Sequence, residues 1–179
     1  TRAISALFQR QIDRWQRMTP SGQVDDLPYE ELTIYERWLH GGPWMSLETG
    51  ALWLSHLIQQ QITVRVLDDD GQLRGYAEAY PGHEPEPFHP HWHIGQLITA
   101  PGDDSARDVL LQDLIEQAAP VGRLTVSCAA YDDDAQNFYK RYAFSSVQTI
   151  QQVQVSAQGG SVGFYKVTPH APAAYEQLS

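Results

Sequence analysis

The sequence predicts one α/β domain in which a mixed, mostly antiparallel sheet is flanked by helices. Three observations predict it. The first 60 residues carry apolar side chains at helical spacing, and the next hundred alternate short β-branched runs with helical segments. A chain of 179 residues with 42% hydrophobic residues suits a single core. We therefore expect N-terminal helices in residues 1–60, the sheet in residues 61–168 and a tail in residues 169–179.

Charge and composition limit the classes of partner. The chain has 12 Lys+Arg against 22 Asp+Glu, a formal net charge of −10. Sequence-independent binding of nucleic acid requires a basic surface, so no nucleic-acid partner is expected. Negative charge would attract a cationic amine or polyamine, although acidity also serves solubility alone. The sequence has no apolar run long enough to span a membrane and no signal-peptide pattern, so no membrane association is expected.

The single cysteine, Cys128, lies in an apolar run at residues 124–130 and is expected to be a buried, unreactive side chain. A lone cysteine forms no internal disulfide, which favours a reducing compartment. A cytoplasmic location is the resulting expectation.

Three helices are expected before residue 60. The first covers residues 4–18, the second begins near Pro28 and the third follows Ser46, with Gly and Pro clusters ending the first two. Their predicted inward faces are Ile4, Leu7, Phe8, Ile12 and Trp15 in the first helix, Leu32, Tyr35, Trp38 and Leu39 in the second, and Leu52, Leu54, His56, Leu57 and Ile58 in the third.

A β-hairpin is expected next. An alternating, β-branched run, residues 62–67, and a returning strand, residues 73–80, flank Asp69-Asp70-Gly71, and Asp and Gly tolerate the positive φ that tight hairpin turns need. Residues 81–91 hold four prolines and predict a rigid loop. Residues 92–100 predict a third strand, in which a glycine marks a bulge or a close backbone approach.

The remaining elements are expected in the order helix, strand, helix, strand, strand. They cover residues 103–119, residues 124–130, a helix that ends at residues 143–144, and two strands at residues 147–155 and 162–167. Three aspartates precede the second of these helices, and a carboxylate there caps the free N–H groups of the first turn. The inward face of that helix comprises Ala135, Phe138, Tyr139 and Tyr142.

The run from Ala135 to Phe144, A-x-x-F-Y-x-x-x-A-F, resembles the strand–helix signature of the GCN5-related N-acetyltransferases. The usual form is N-x-x-A-x-x-F-Y-x-x-x-G-F; here Asp132 replaces the Asn and Ala143 the Gly. The resemblance implies that Tyr139 protonates the departing thiolate of coenzyme A. It also places Asp132, Ala135 and Phe138 in the cofactor-binding motif. The spacing alone equally fits aromatic residues that only build a core.

The resemblance implies a pyrophosphate-binding loop, R/Q-x-x-G-x-G/A, between a strand and a long helix, where backbone N–H groups hold the phosphates. Aligning the Leu-Leu pair at residues 110–111 with that of the family makes Gly102, Asp104, Ser105, Ala106 and Arg107 the cofactor-binding candidates. The motif is degraded, and Asp103 and Asp104 add unfavourable charge. Either backbone amides still bind acetyl-CoA, or the fold has lost it.

The strand before that helix is, by the same resemblance, a splayed edge whose backbone at Leu97, Ile98 and Thr99 pairs with the pantetheine arm. The general base is often a carboxylate near this strand. Here the candidates are His93, whose ordinary pKa suits a base, and Glu78 on the preceding strand. The family also opens with a strand before its first helix; that strand either lies upstream of Thr1 or is absent.

A rival constellation lies in the proline-rich loop. It offers imidazole and carboxylate groups, and alternate histidines in an extended segment share one side. The spacing matches no structural zinc pattern and no cysteines accompany it, so we expect solvent-exposed histidines, or a loop that gates the substrate, and no required metal. The constellation comprises His83, Glu84, Glu86, His89, His91 and His93.

The resemblance therefore implies direct transfer of an acetyl group from acetyl-CoA to a primary amine of a small molecule or peptide. The alternative is a non-catalytic module of the same fold that binds another ligand or a protein. A metal-dependent hydrolase built on the histidines ranks third. The sequence outlines no acceptor pocket, and a homodimer is left open.

Overall fold

The computed structural model describes residues 1–83, 89–147 and 149, and divides the chain into two compact units, Thr1–Ala129 and Ala130–Ser179. The described elements of the first unit are α1 (Arg2–Gln9), β1 (Gln16–Met18), β2 (Val24–Asp26), a 3-10 turn (Tyr29–Glu31), α2 (Ile34–Leu39), a second 3-10 turn (Gly42–Met45), α3 (Leu47–Gln59), β3 (Thr63–Asp69), β4 (Gln72–Gly82), β5 (His91–Thr99), α4 (Asp104–Ala118) and β6 (Leu124–Val126). The second unit contains α5 (Asp133–Arg141).

The main sheet of the first unit has the strand order β3-β4-β5-β6. The β3–β4 and β4–β5 pairs are antiparallel and the β5–β6 pair is parallel. This confirms the predicted mixed, mostly antiparallel sheet. The predicted hairpin turn is also confirmed, since Asp70 and Gly71 take φ values of 50° and 83°, as a two-residue type I′ turn requires.

Strand β4 separates two layers. Because side chains alternate along a strand, Tyr76, Glu78 and Tyr80 share one face and the small residues between them share the other. Tyr76 belongs to a buried cluster with residues of α1, the second 3-10 turn and α3: Ile4, Leu7, Phe8, Trp44, Met45 and Leu57. The buried side chains of α4 are Ala106, Leu110, Leu111, Leu114 and Ala118.

The predicted first helix is too long. α1 ends at Gln9, and Gln16–Met18 instead pairs with Val24–Asp26 as β1 and β2. Tertiary contacts favour the extended backbone: the ring of Trp15 packs on Tyr29 at 5.1 Å between centroids, and the Gln16 backbone N–H donates to Nε2 of His40 at 2.9 Å. Contacts with residues distant in sequence override the helical pattern here.

The other two N-terminal predictions hold in part. α2 has only six residues, and its predicted inward residues Tyr35 and Leu39 are exposed, whereas Leu32 before it is buried. α3 begins after Ser46 as predicted, and the Ser46 side chain accepts from the Thr49 N–H at 3.2 Å. Of its predicted stripe, Leu57 is buried but Leu52 and Ile58 are exposed, because the inward face also contains Gly50.

Two predictions in the second half of the first unit need correction. Pro81 and Gly82 belong to β4 and His91 to β5, so these three residues of the predicted loop are in strands instead. β6 ends at Val126, and Cys128 is exposed rather than buried, because the chain leaves the β5 ladder before it.

The second unit confirms the predicted helix cap. Oδ1 of Asp132 accepts from the Ala135 N–H at 2.9 Å, and α5 ends before Ala143, whose φ is 62°. A left-handed conformation after a helix is the usual place for glycine, which explains the Gly of the motif at this position. The predicted strands 147–155 and 162–167 and the tail lie outside the described residues, apart from positions 147 and 149, which are in no strand.

Candidate functional site

A buried carboxyl group lies at the centre of the first unit. Glu78 is 1% exposed, and four aromatic side chains donate hydrogen bonds to it. Its Oε1 accepts from the indole N–H of Trp44 at 2.7 Å, the indole N–H of Trp53 at 3.3 Å and the hydroxyl of Tyr76 at 2.6 Å. Its Oε2 accepts from the hydroxyl of Tyr80. Three of the four donors share Oε1, and the longest of these contacts is that of Trp53.

Three elements supply this aromatic cage, which comprises Trp44, Trp53, Tyr76 and Tyr80. Trp44 comes from the second 3-10 turn, Trp53 from α3, and the tyrosines stand two residues either side of Glu78 on β4. Burial first, and then the hydrogen bond to Glu78, raise the pKa of both tyrosines above its ordinary value. Both hydroxyls therefore stay protonated at neutral pH.

His93 lies on the same face of the sheet. It is the register partner of Tyr80, as Gln96 is of Glu78, and paired residues of antiparallel strands point to the same side. Its Nδ1 is 3.0 Å from the hydroxyl of Thr125, its register partner on β6. The two predicted base candidates, Glu78 and His93, thus share one face, with Tyr80 next to both in the register.

The ladder between β4 and β5 contains a bulge at Gly95, as predicted from the glycine. The pairing passes from Glu78↔Gln96 to Ala79↔Ile94 and leaves Gly95 without a register partner. A Cβ built on Gly95 would lie 2.5 Å from Cε2 of Tyr80. Only glycine therefore lets the tyrosine ring lie over the strand at this point.

The ladder between β5 and β6 ends at the same place. Their parallel pairing covers Trp92↔Leu124 to Ile94↔Val126, and no described residue continues the ladder along β5 beyond Ile94. The three residues predicted to bind pantetheine, Leu97, Ile98 and Thr99, are half-buried and lie on the part of β5 beyond this ladder. The carbonyl of Thr99 accepts from the side-chain amide of Gln11 at 2.9 Å.

The start of α4 is occupied by two side chains of the protein itself, Asp103 and Arg74. Asp103 caps the helix, since its Oδ1 accepts from the Ala106 N–H at 3.1 Å. Arg74 on β4 donates to both oxygens of Asp103, at 2.9 and 2.7 Å, and to the hydroxyl of Ser105 at 2.8 Å. The Arg74 guanidinium, more than the helix N–H, holds the pKa of Asp103 below its usual range. A carboxylate therefore occupies the position predicted for a phosphate.

The other predicted phosphate-loop residues surround this cap. Gly102 lies in the turn before α4, Ala106 is buried on the helix, and Asp104 is exposed. Arg107 donates to Oδ1 of Asp104 at 2.7 Å. The loop thus pairs two aspartates with two arginines.

Tyr139 lies in the second unit, on α5. It is half-buried, and its ring centroid is 5.1 Å from that of Phe138 and 5.4 Å from that of Phe144. Phe138 is buried, and Ala135 receives the Asp132 cap. All four predicted motif residues thus belong to one capped helix.

The residues that sequence reasoning missed are distant partners. Trp44 and Trp53 are 34 and 25 positions from Glu78, and Arg74 is 29 positions from Asp103. The available signal was an acidic residue between two tyrosines in an apolar strand. It indicated a shared face but not its partners.

Residues 84–88, which include Glu84 and Glu86, lie outside the described part of the chain. Nδ1 of His91, a buried side chain, is 2.8 Å from the His89 carbonyl oxygen. Within residues 1–83 and 89–147, no three His, Cys, Asp or Glu side chains are placed to hold a metal ion. Nor does any helix there have the length and hydropathy to cross a membrane.

Comparison with protein-family models gives no match, and comparison with curated proteins gives none either. Solved structures do match. The ribosomal-protein-alanine N-acetyltransferase from Brucella melitensis is 22% identical over 69% of this chain and 82% of its own, with a TM-score of 0.53. Aminoglycoside N-acetyltransferase AAC(6')-Iy in complex with CoA is 12% identical over 68% and 84%, with a TM-score of 0.55. The chain has the fold of the GCN5-related N-acetyltransferases.

Proposed function

We propose that this chain is an N-acetyltransferase that moves the acetyl group of acetyl-CoA to an amine by direct attack. The observation that carries the proposal is the end of the β5–β6 ladder at Ile94, which we interpret as a divergence of the two strands. It leaves a stretch of strand backbone beside a long helix, and backbone amide and carbonyl groups of an open strand edge pair readily with another extended chain. The amide-containing pantetheine arm of coenzyme A is such a chain.

The order of elements sets the direction of the cofactor. α4 begins directly after β5, so a phosphate at residues 102–107 would lie at the open end of the divergence. The pantetheine arm would then follow β5 from Thr99 through Ile98 and Leu97. The thioester would lie at the closed end, near the Gly95 bulge. Glu78, Tyr80 and His93 occupy register positions on both sides of this bulge.

When bound, acetyl-CoA supplies an activated thioester. The protein's part is to accept a proton from the attacking amine, by way of Glu78 or His93, and to return one to the sulfur. The second role is assigned to Tyr139 by resemblance, with Asp132, Ala135 and Phe138 fixing its helix. The net charge of −10 favours a cationic amine, neutralised on transfer. The two neighbours, by their names, act on an aminoglycoside and on an alanine of ribosomal proteins, both amine acceptors.

The closed start of α4 favours a second candidate. Asp103 already makes contacts with Arg74 and the Ala106 N–H at the position proposed for a phosphate, and Gln11 already binds the Thr99 carbonyl. Acetyl-CoA would have to displace both side chains. A chain that keeps these contacts would be a non-catalytic module of the same fold that binds a different ligand or a protein.

Calorimetric titration with acetyl-CoA and with CoA distinguishes the transferase from the non-catalytic module. Micromolar binding, about −8 kcal/mol, supports the transferase. Absence of heat, together with an unchanged melting temperature in excess ligand, contradicts it and favours the module. As a check on placement, Ser105→Glu and Arg107→Glu should each weaken binding by adding negative charge near the phosphates. Unchanged affinity in both variants would exclude the start of α4 as the phosphate site.

A further inference from the structure

We propose that Tyr80 is the residue that meets the acceptor amine, and that it relays the amine proton to the buried carboxyl group of Glu78. The inference rests on the proposed acetyl transfer. It adds a catalytic residue and changes the role of Glu78 from direct base to the final proton acceptor behind Tyr80.

Glu78 is badly placed to touch an amine. It is 1% exposed, and each of its oxygens accepts a hydrogen bond from an aromatic side chain. Direct contact would require an amine to enter the core and displace one of these donors. A buried carboxylate that loses a donor also loses part of the compensation for its desolvation.

Of the four donors, only Tyr80 has both the exposure and the chemistry of a relay. Trp44 and Tyr76 are fully buried, whereas Trp53 and Tyr80 are half-buried. An indole N–H is a donor with no lone pair for a proton, but a phenol hydroxyl donates and accepts at once. Among the described partners of Glu78, a proton can therefore enter from outside only through the Tyr80 oxygen.

The position of Tyr80 agrees with this role. Its ring lies on Gly95, the residue at which the β4–β5 ladder bulges and beyond which β5 leaves β6. This is the closed end of the divergence, where the thioester is proposed to lie. The Tyr80 hydroxyl thus joins the reaction site to the interior of the sheet.

The step balances without a phenolate on Tyr80. As the amine nitrogen forms its bond to the acetyl carbon, its proton passes to the Tyr80 oxygen while the Tyr80 proton passes to Oε2 of Glu78. The carbon–sulfur bond breaks, and the general acid, a role assigned to Tyr139 by resemblance, gives the thiolate a proton. This leaves a carboxylic acid at Glu78 and a phenolate at the general acid, and the transfer of one proton through solvent restores both. Tyr80 is neutral before and after the transfer, which is consistent with the raised pKa of its hydroxyl.

The experiment must distinguish the effect of the Tyr80–Glu78 relay from the effects of other titratable groups nearby. They are Tyr76 beside Glu78 on β4, His93 opposite Tyr80 on β5, and His56 of α3, whose ring stacks on Trp53 at 5.3 Å. Tyr76 is the matched control. It donates to the same carboxyl group as Tyr80 and bears the same hydroxyl, but it is fully buried and its ring packs on Trp44 and Phe8.

The experiment compares Tyr80→Phe, Tyr76→Phe and Glu78→Gln with the wild type, using acetyl-CoA and three acceptors: spermidine, kanamycin and a peptide with an N-terminal alanine. Melting temperatures report folding. We expect Tyr80→Phe to lower kcat about 100-fold, the low end for loss of a proton-transfer group, with KM for acetyl-CoA unchanged. Tyr76→Phe removes a hydrogen bond to the same carboxyl group without removing the relay, so it should lower the melting temperature similarly but lower kcat at least about tenfold less than Tyr80→Phe does.

Two readouts distinguish a relay from a structural role. The Tyr80→Phe, Glu78→Gln double variant should be no slower than the slower single variant, since the two groups act as a unit. The kcat of Tyr80→Phe should keep rising with pH where the wild-type value has levelled off, because hydroxide replaces the relay. Equal losses of kcat in Tyr80→Phe and Tyr76→Phe, or multiplying effects in the double variant, would overturn the relay alone. Absence of wild-type turnover with all three acceptors would overturn the proposed function and the relay together.

Discussion

Arg74 and Asp103 form a two-point ion pair between β4 and the first turn of α4, with Nε–Oδ2 and Nη2–Oδ1 distances of 2.9 and 2.7 Å. The same carboxylate caps the helix through the Ala106 N–H. The cation and the N–H group that a phosphate would use are thus occupied by a group of the chain. The affinity for coenzyme A should therefore depend on the charge at residue 103.

Asp103→Asn tests this dependence. Asparagine caps a helix about as well as aspartate, so the fold should be retained, while one negative charge is removed and Arg74 is released. A unit charge near a phosphate in water is worth about 1 kcal/mol, so calorimetry should show roughly fivefold tighter binding of CoA. The gain should shrink in high salt. The matched control is Asp113→Asn on the same helix, which breaks a 2.7 Å pair with Arg65. Equal affinities in the two variants would contradict the expectation.

Tyr139→Phe tests the assigned acid. The ring and its contact with Phe138 are kept and the hydroxyl is removed. Turnover should fall by about 10²- to 10⁴-fold, the usual range for a general acid, while the affinity for CoA stays the same. Tyr142→Phe, one turn further along the helix, is the control and should keep its turnover. Full activity in Tyr139→Phe would exclude it as the acid.

Gly95→Ala tests the close approach at the bulge. The added Cβ would lie 2.5 Å from Cε2 of Tyr80, which forces the ring or the strand to move. We expect a loss of about 1 to 3 kcal/mol in the free energy of unfolding, measured with urea. Tyr80→Phe should not relieve the loss, because the ring remains, whereas Tyr80→Ala should. Similar losses in all three backgrounds would show that the ring is not the obstacle.

The ion pair of Glu36 with Arg17 predicts an acid-dependent loss of stability. Hydrogen bonds from Arg17, then from Thr33, lower the pKa of Glu36 from 4.5 to about 2. As pH falls from about 4.5 to 2, the unfolded state binds the proton first, so the stabilisation present at neutral pH is lost across this interval. The difference in melting temperature between wild type and Glu36→Gln should therefore vanish near the lower limit. In an Arg17→Gln background the pH dependence should be weaker, and an unchanged dependence there would disprove the cause.

The sequence predicted what local chemistry decides. The Asp70-Gly71 turn needs positive φ, alternation puts Tyr76, Glu78 and Tyr80 on one face, and Asp132 caps the helix that follows it. Each of these depends on neighbours within a few positions. The signature of α5 could be aligned with a known family for the same reason.

The errors arose where distant residues decide. Residues 10–18 have a helical pattern, but the contact of Trp15 with Tyr29 favours an extended chain. The sequence of the degraded phosphate loop did not predict the ion pair of Asp103 with Arg74, because Arg74 lies on β4. No pattern links Glu78 to Trp44 and Trp53, because a hydrogen bond between side chains far apart in sequence leaves no periodicity.

Strand β4 fixes the distances between Arg74, Glu78 and Tyr80. It carries Arg74 at one end, beside the start of α4, and Glu78 and Tyr80 four and six residues further along. At about 3.3 Å per residue these groups are spaced by roughly 13 and 20 Å of one extended chain. In the proposed transferase, this single strand would set the distance between the side chains that meet the phosphate and those that meet the acetyl group, and an acyl donor with a shorter arm would not reach both. Inserting one residue in β4 between Arg74 and Glu78 would lengthen the distance between these two side chains. It would also turn the side chains on one side of the insertion to the opposite face of the sheet.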